Sequence, residues 1–113
     1  MAGRPRVNEY RVAFRREALL QLEELYDYIA DSGSPRHATR YTESIVGFSE
    51  ELGTFPRRGT VRDDIRPGMR TIGYGTRVIV AFAILDGVMA ILGIFYGGCD
   101  FETILTTSDS IPE

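Results

Sequence analysis

"RVIVAFAILDGVMAILGIFY", Arg77 to Tyr96, contains the longest apolar stretch of the chain, and its reading decides the fold. An unbroken apolar run of about 20 residues would suit a membrane helix. Asp86-Gly87 breaks this one into two short elements. The dipeptide is the strongest hairpin signal in the sequence, because a two-residue turn of this kind needs positive φ at both positions and Asp-Gly tolerates it. In the arms, "VIVAFAIL" and "VMAILGIFY", apolar residues occupy both faces. That is the pattern of central strands covered on each side. The rest of the chain must supply the covering layers.

Upstream, "EYRVAF" (Glu9 to Phe14) alternates polar and apolar residues and predicts a strand. From Arg16 the period changes: Ala18, Leu22, Leu25 and Ile29 form one apolar stripe, with Glu23, Glu24 and Asp27 on other faces. This helix should end at "DSGS", with Gly33 in a left-handed cap. A second helix opens with Ser34 as N-cap and Pro35 in its first turn. Its stripe is Ala38, Tyr41, Ile45, Phe48 and Leu52, and Gly53 supplies the stop. Helices joined so tightly form an antiparallel hairpin, which can cover one face of the sheet. "TFPRRGTVRDDIRPG", with two prolines, two glycines and no periodicity, reads as a loop. Met69 to Tyr74 reads as a strand that passes over Gly75-Thr76 into Arg77 to Leu85. "GGCDFETIL" is expected to form a short closing helix, and the final "TTSDSIPE" to fray. The expected fold is therefore α+β: an N-terminal strand, a helical hairpin on a mainly antiparallel four-stranded sheet, and a short C-terminal helix. Residues 1–113 make one domain, with its core between about residues 9 and 105.

The totals fit such a domain. The chain has 113 residues, 43% hydrophobic and 26% charged, with a formal net charge of −3. "MAGRPRVNEYR" has charge but no apolar core of a signal peptide behind it, so a cytoplasmic location is expected. Cys99 is the single cysteine, which excludes an internal disulfide and a cysteine-cluster metal site. Charge runs in blocks: residues 1–16 and 54–80 are basic, while 17–53 and 81–113 are acidic. Local potential, more than the net value, steers a partner. Every base is Arg, the residue suited to bidentate contacts with carboxylate or phosphate.

Few residues have the spacing of a catalytic site. His37, the only histidine, sits in the first turn of the second helix, far along the chain from Cys99, so no Cys–His dyad is expected. Glu23, Glu24, Asp27 and Asp31 read as a solvated helix face. No His or Cys pair has ligand spacing, so neither a metal nor a cofactor is expected. "GYGTR" has no helix after it to receive a phosphate. What stands out is "PRRGTVRDDIRPGMR", Pro56 to Arg70, with five arginines in fifteen residues. Two readings stay open on pattern alone. One is a polar loop in which Asp63 and Asp64 pair locally with Arg62 or Arg66. The other is a basic surface that receives an acidic protein segment or a nucleic acid.

From Tyr10 to Leu105 the chain resembles the ParE/RelE toxin superfamily, and its ParE branch in particular. The resemblance lies in "EALLQLEELYDYIAD", "SPRHATRYTESI", "FPRRGTVRDDIRPGMR", "GTRVIVAFAI" and "ILGIFYGGCDFETIL"; "RDDIRPGMR" combined with "GTRVIV" is its most specific part. It implies the stable toxin of a bacterial type II toxin–antitoxin pair, neutralised by a ParD-like antitoxin whose C-terminal segment wraps it. Many ParE-like toxins poison DNA gyrase without catalysis, whereas RelE-type toxins cleave mRNA in the ribosome. This chain departs from the RelE pattern. Ile72 stands where one RelE arginine falls, Gly97-Gly98-Cys99 where another falls, and there is no lysine. It also lacks the His and Arg that often stand near Tyr96 and Gly98 in ParE-like chains. The resemblance thus implies a non-enzymatic gyrase inhibitor, with Arg62, Arg66 and Arg70 meeting the antitoxin and Arg77 structural. It implies no DNA binding by this chain alone. The alternative is a ribosome-dependent endoribonuclease using Arg66, Arg70, Arg77 and Tyr96. A third possibility is an inactive toxin retained as the antitoxin's partner in autoregulation.

Overall fold

The Asp86-Gly87 turn forms as its sequence requires. In the computed structural model, which describes residues 10–75 and 77–97, the two residues have φ of 54° and 77°. They join β4 (Val78–Leu85) to β5 (Val88–Tyr96), an antiparallel pair running from Leu85↔Val88 to Val78↔Tyr96. The N-terminal strand β1 (Arg11–Phe14) pairs in parallel with β5, from Arg11↔Val88 to Phe14↔Ile91. On the other side β3 (Arg70–Tyr74) pairs antiparallel with β4, from Arg70↔Phe82 to Tyr74↔Val78. β4 and β5 therefore have a strand on each flank.

The sheet has five strands rather than the four expected, in the order β1-β5-β4-β3-β2. The additional strand, β2, is only Thr60–Val61, and it pairs with Thr71 and Arg70 inside the segment expected to be all loop. Two residues are too few to show an alternation. A short edge strand of this kind also offers little template for unwanted pairing.

Helices α1 (Arg16–Ser32) and α2 (Pro35–Glu51) form the predicted hairpin on one face of the sheet. Ser34 caps α2 by accepting a hydrogen bond from the His37 N–H at 3.1 Å. Gly33 ends α1, and its N–H donates to the Ile29 carbonyl at 2.8 Å. Its φ is −143°, however, not the left-handed value expected. Only Gly33 and Ser34 separate the helices, and Ser34 must already be extended to cap α2, which leaves no room for a left-handed cap and its following turn. Gly53 follows the Leu52 cap of α2, its N–H donating to the Glu50 carbonyl at 3.2 Å, and it is also needed for space. The Tyr10 N–H donates to its carbonyl, and a Cβ there would collide with the Tyr10 carbonyl oxygen.

Both faces of the central hairpin are buried. Toward the helices, Val78, Val80, Phe82, Met89, Ile91 and Ile94 pack against Ala18, Leu22, Leu25, Ile45 and Leu52. On the far face Ala81, Ala83, Ala90, Leu92 and Phe95 form a second cluster with Met69, covered in part by Ile65. The loop before β3 is thus the second covering layer.

β5 changes parity on the way. Ala81 pairs with Gly93 but Phe82 pairs with Ile91, so Leu92 is an extra residue, a β-bulge. The bulge returns Ile94 to the helix side. The Ile94 N–H donates to Gln21 Oε1 of α1 at 2.7 Å, so the helix supports the irregular stretch of strand. The expected C-terminal helix and frayed tail lie outside the described residues.

Candidate functional site

The β3–β4 hairpin has two ends, and the candidate residues divide between them. Arg70 pairs in register with Phe82, and Tyr74 with Val78. Four steps along the strand separate these rungs, about 13 Å at the usual rise.

At the Arg70 end the arginine-rich loop folds onto itself. Arg62 donates two bonds to the Asp64 carboxylate, at 3.0 and 2.9 Å. That hydrogen bond is the main reason the Asp64 carboxyl is held below its ordinary value. Asp63 accepts a bond from the Gly68 N–H at 2.8 Å, and main-chain bonds from Arg62 to Met69 close the loop. Arg70 donates through Nη1 to the main-chain carbonyl of Arg57 at 2.9 Å and to that of Arg58 at 3.4 Å. Arg58 lies 4.8 Å from the centre of the Phe55 ring and 3.8 Å from Glu51. Arg66 is half-buried, and its main chain joins the same turn. The local pairing considered from sequence therefore forms between Arg62 and Asp64, and it shapes the loop whose Ile65 and Met69 cover the sheet.

At the other end lies an open cleft of about 490 Å³ between the α1–α2 turn region and the edges of β4 and β5. Leu25, Tyr28 and Ile29 of α1, His37 and Tyr41 of α2, Arg77 and Val78 at the start of β4, and Tyr96 and Gly97 at the end of β5 line it. Each is placed by an element already described. Leu25 and Ile29 continue the buried stripe of α1 to its last turns. His37 and Tyr41 stand four residues apart on one face of α2. The Gly97 N–H donates to the Arg77 carbonyl at 3.2 Å, tying the end of β5 to the start of β4. The Tyr28 and Tyr96 rings meet at 5.9 Å. The Tyr41 ring meets Tyr74 at 6.2 Å, and Tyr74 meets Phe48 at 4.9 Å, both pairs tilted, so the wall is an aromatic series rooted in the core. Arg77 and His37 are exposed, and among the described residues no carboxylate lines the cleft.

Of the four residues of the endoribonuclease alternative, the cleft unites Arg77 and Tyr96. Arg66 and Arg70 belong to the other end. Arg77, expected to be structural because it begins a buried strand, holds the end of β5 through its carbonyl, while its side chain is exposed on the cleft and burial starts at Val78. Sequence inspection missed Tyr28, His37 and Tyr41 as a group. The spacing of His37 and Tyr41 was visible, but their meeting with Arg77 and Tyr96 is a product of the tertiary fold. Among the described residues no three or more His, Cys, Asp or Glu side chains gather as a metal site would need. Nor, among them, is any helix long and apolar enough to cross a membrane.

Residues 12–101 match the family described as the ParE toxin of type II toxin-antitoxin system, parDE. Among solved structures, the chain is similar to one of the chromosomal ParDE TA system from P. aeruginosa, with a TM-score of 0.69 and 22% identity. The match covers 79% of this chain and 97% of that one. It is also similar to a substituted RelE toxin of E. coli in the free state, with a TM-score of 0.63 and 15% identity, covering 91% of this chain and 99% of that one. No curated protein matches the sequence.

Proposed function

The chain belongs to the ParE toxin family of type II toxin–antitoxin systems, and from that premise we propose that it inhibits DNA gyrase by binding it, without catalysis, until a ParD-like antitoxin neutralises it. The observation that carries the non-catalytic part is the separation of the arginines. An endoribonuclease of the RelE kind needs several cations and a proton-transfer group aimed at one phosphate as charge develops. Arg77 and Tyr96 share one cleft, but Arg70 sits about 13 Å of strand away with its guanidinium on main-chain carbonyls. Ile72 stands between them on β3. With no lysine and a net charge of −3, the chain is poorly equipped for a polyanion.

The antitoxin part is supported by the ParDE neighbour. A tail that is acidic and folds on binding would be drawn by the basic stretch around Arg62, Arg66 and Arg70, which act here as steering charge. The site of action is the bacterial cytoplasm, and the chain alone binds neither DNA nor membrane. One observation favours the second reading, a ribosome-dependent mRNA endoribonuclease: Arg77 and Tyr96 do meet in one cleft.

Purified chain separates the two readings when added to gyrase with relaxed plasmid and, in parallel, to ribosomes programmed with mRNA. Loss of supercoiling with intact mRNA is the expected result. Cleaved mRNA with full supercoiling would replace the first reading with the second.

A further inference from the structure

We propose that the cleft at the Arg77 end is the pocket into which the antitoxin inserts an apolar or aromatic side chain flanked by a carboxylate. This rests on the reading of the chain as a toxin held by an antitoxin, and it names the contact. The cleft is of a size that takes a small-ligand-sized group, at about 490 Å³. Its floor is apolar and its walls are the rings of Tyr28, Tyr41 and Tyr96. Tyrosine-rich walls of this kind anchor partner side chains at the centre of protein interfaces. Among the described residues the lining carries the Arg77 guanidinium and the His37 imidazole and no acid. The matching guest is one apolar group beside one negative charge.

A nucleic acid fits less well. A phosphate backbone is held by several cations along a track, whereas among the described residues this cleft has a single arginine. Arg62 and Arg70 serve the loop at the far end of the hairpin. Arg77 can offer a carboxylate two parallel N–H donors, and a guest packed against the rings would exclude water from the pair.

The test is titration of this chain with the full-length antitoxin encoded beside it, comparing wild type with the double variant Arg77→Glu/His37→Glu. The control, Arg16→Glu, makes one such charge reversal at the start of α1, about 18 Å along the helix from Tyr28. The double variant should bind at least about tenfold more weakly, as loss of a desolvated charge pair does, and the control within about twofold. Thermal melting establishes that each variant is folded. Should the reversal prevent folding, Arg77→Gln/His37→Gln removes the Arg77 charge and the imidazole and should also weaken binding. Wild-type affinity in a folded double variant overturns the proposal while leaving the antitoxin reading intact. Failure of the wild-type chain to bind the antitoxin overturns both. If the variant keeps antitoxin binding but loses a contact to programmed ribosomes, the cleft serves RNA and the peptide proposal falls.

Discussion

The two ends of the β3–β4 hairpin carry the same residue type to opposite purposes. At one end Arg62 and Arg70 are held by Asp64 and by the carbonyls of Arg57 and Arg58. The loop they shape lays Ile65 and Met69 over the far face of the sheet. At the other end Arg77 stands exposed over a cleft walled by tyrosines. Within the denser cluster Arg62 and Arg70 brace the loop, and Arg77 stands at the open cleft. A guanidinium has five donors and no acceptor, so its role depends on which acceptors the fold brings to it. Density of positive charge along the sequence does not reveal that.

The largest break in this comparison comes from the loop's anchor. Met69 is fully buried, so Met69→Ala should cost about 2–5 kcal/mol of stability in a denaturant titration, because the loop would lose its hold on the sheet. A cost near zero would mean that the loop does not act as a cover. Next is the brace between the helices and the bulge of β5. Gln21→Leu removes the acceptor of the Ile94 N–H and should cost about 1–3 kcal/mol if that group stays unpaired. Amide hydrogen exchange at Ile94 should then accelerate more than exchange in β3.

The arginines themselves give the sharper contrast. Arg70→Ala should lower stability by about 1 kcal/mol through lost hydrogen bonds. Arg77→Ala, a surface change, should stay within about 0.5 kcal/mol of wild type. Equal effects at the two positions would erase the distinction between the ends.

The smallest effect concerns pH. Asp64 has its carboxyl lowered chiefly by the hydrogen bond from Arg62. A carboxyl lowered in the folded state adds stability above its unfolded pKa and loses it as pH falls through the folded one. The melting-temperature difference between wild type and Asp64→Asn should therefore be present at neutral pH and shrink in acid, below the ordinary carboxylate range. The pair is solvent-exposed, so added salt should reduce the difference as well.

Much of the fold was legible because it is written in local signals. The Asp86-Gly87 turn, the Ser34-Pro35 start of α2 and the apolar stripes of both helices each depend on residues a few positions apart. What escaped depends on pairs far apart in sequence. β2 exists because Thr60 and Val61 meet Thr71 and Arg70. The bulge at Leu92 makes one arm of the hairpin a residue longer than the other, and Gln21 braces it from α1. The second covering layer escaped for the same reason: Ile65 and Met69 lie in a stretch whose prolines, glycines and charges hide two apolar residues. The cleft was least legible of all, since its residues come from four elements. Only the spacing of His37 and Tyr41 hinted at a shared face, and nothing local joined that face to Arg77 or Tyr96.

The central claim, that this ParE-family toxin acts by binding gyrase rather than by cutting RNA, is tested most directly by pulse-labelling. DNA and protein synthesis are followed in bacteria induced to make the chain without its antitoxin. DNA synthesis should fall first while translation continues. An early fall in protein synthesis, with replication still running, would contradict the claim.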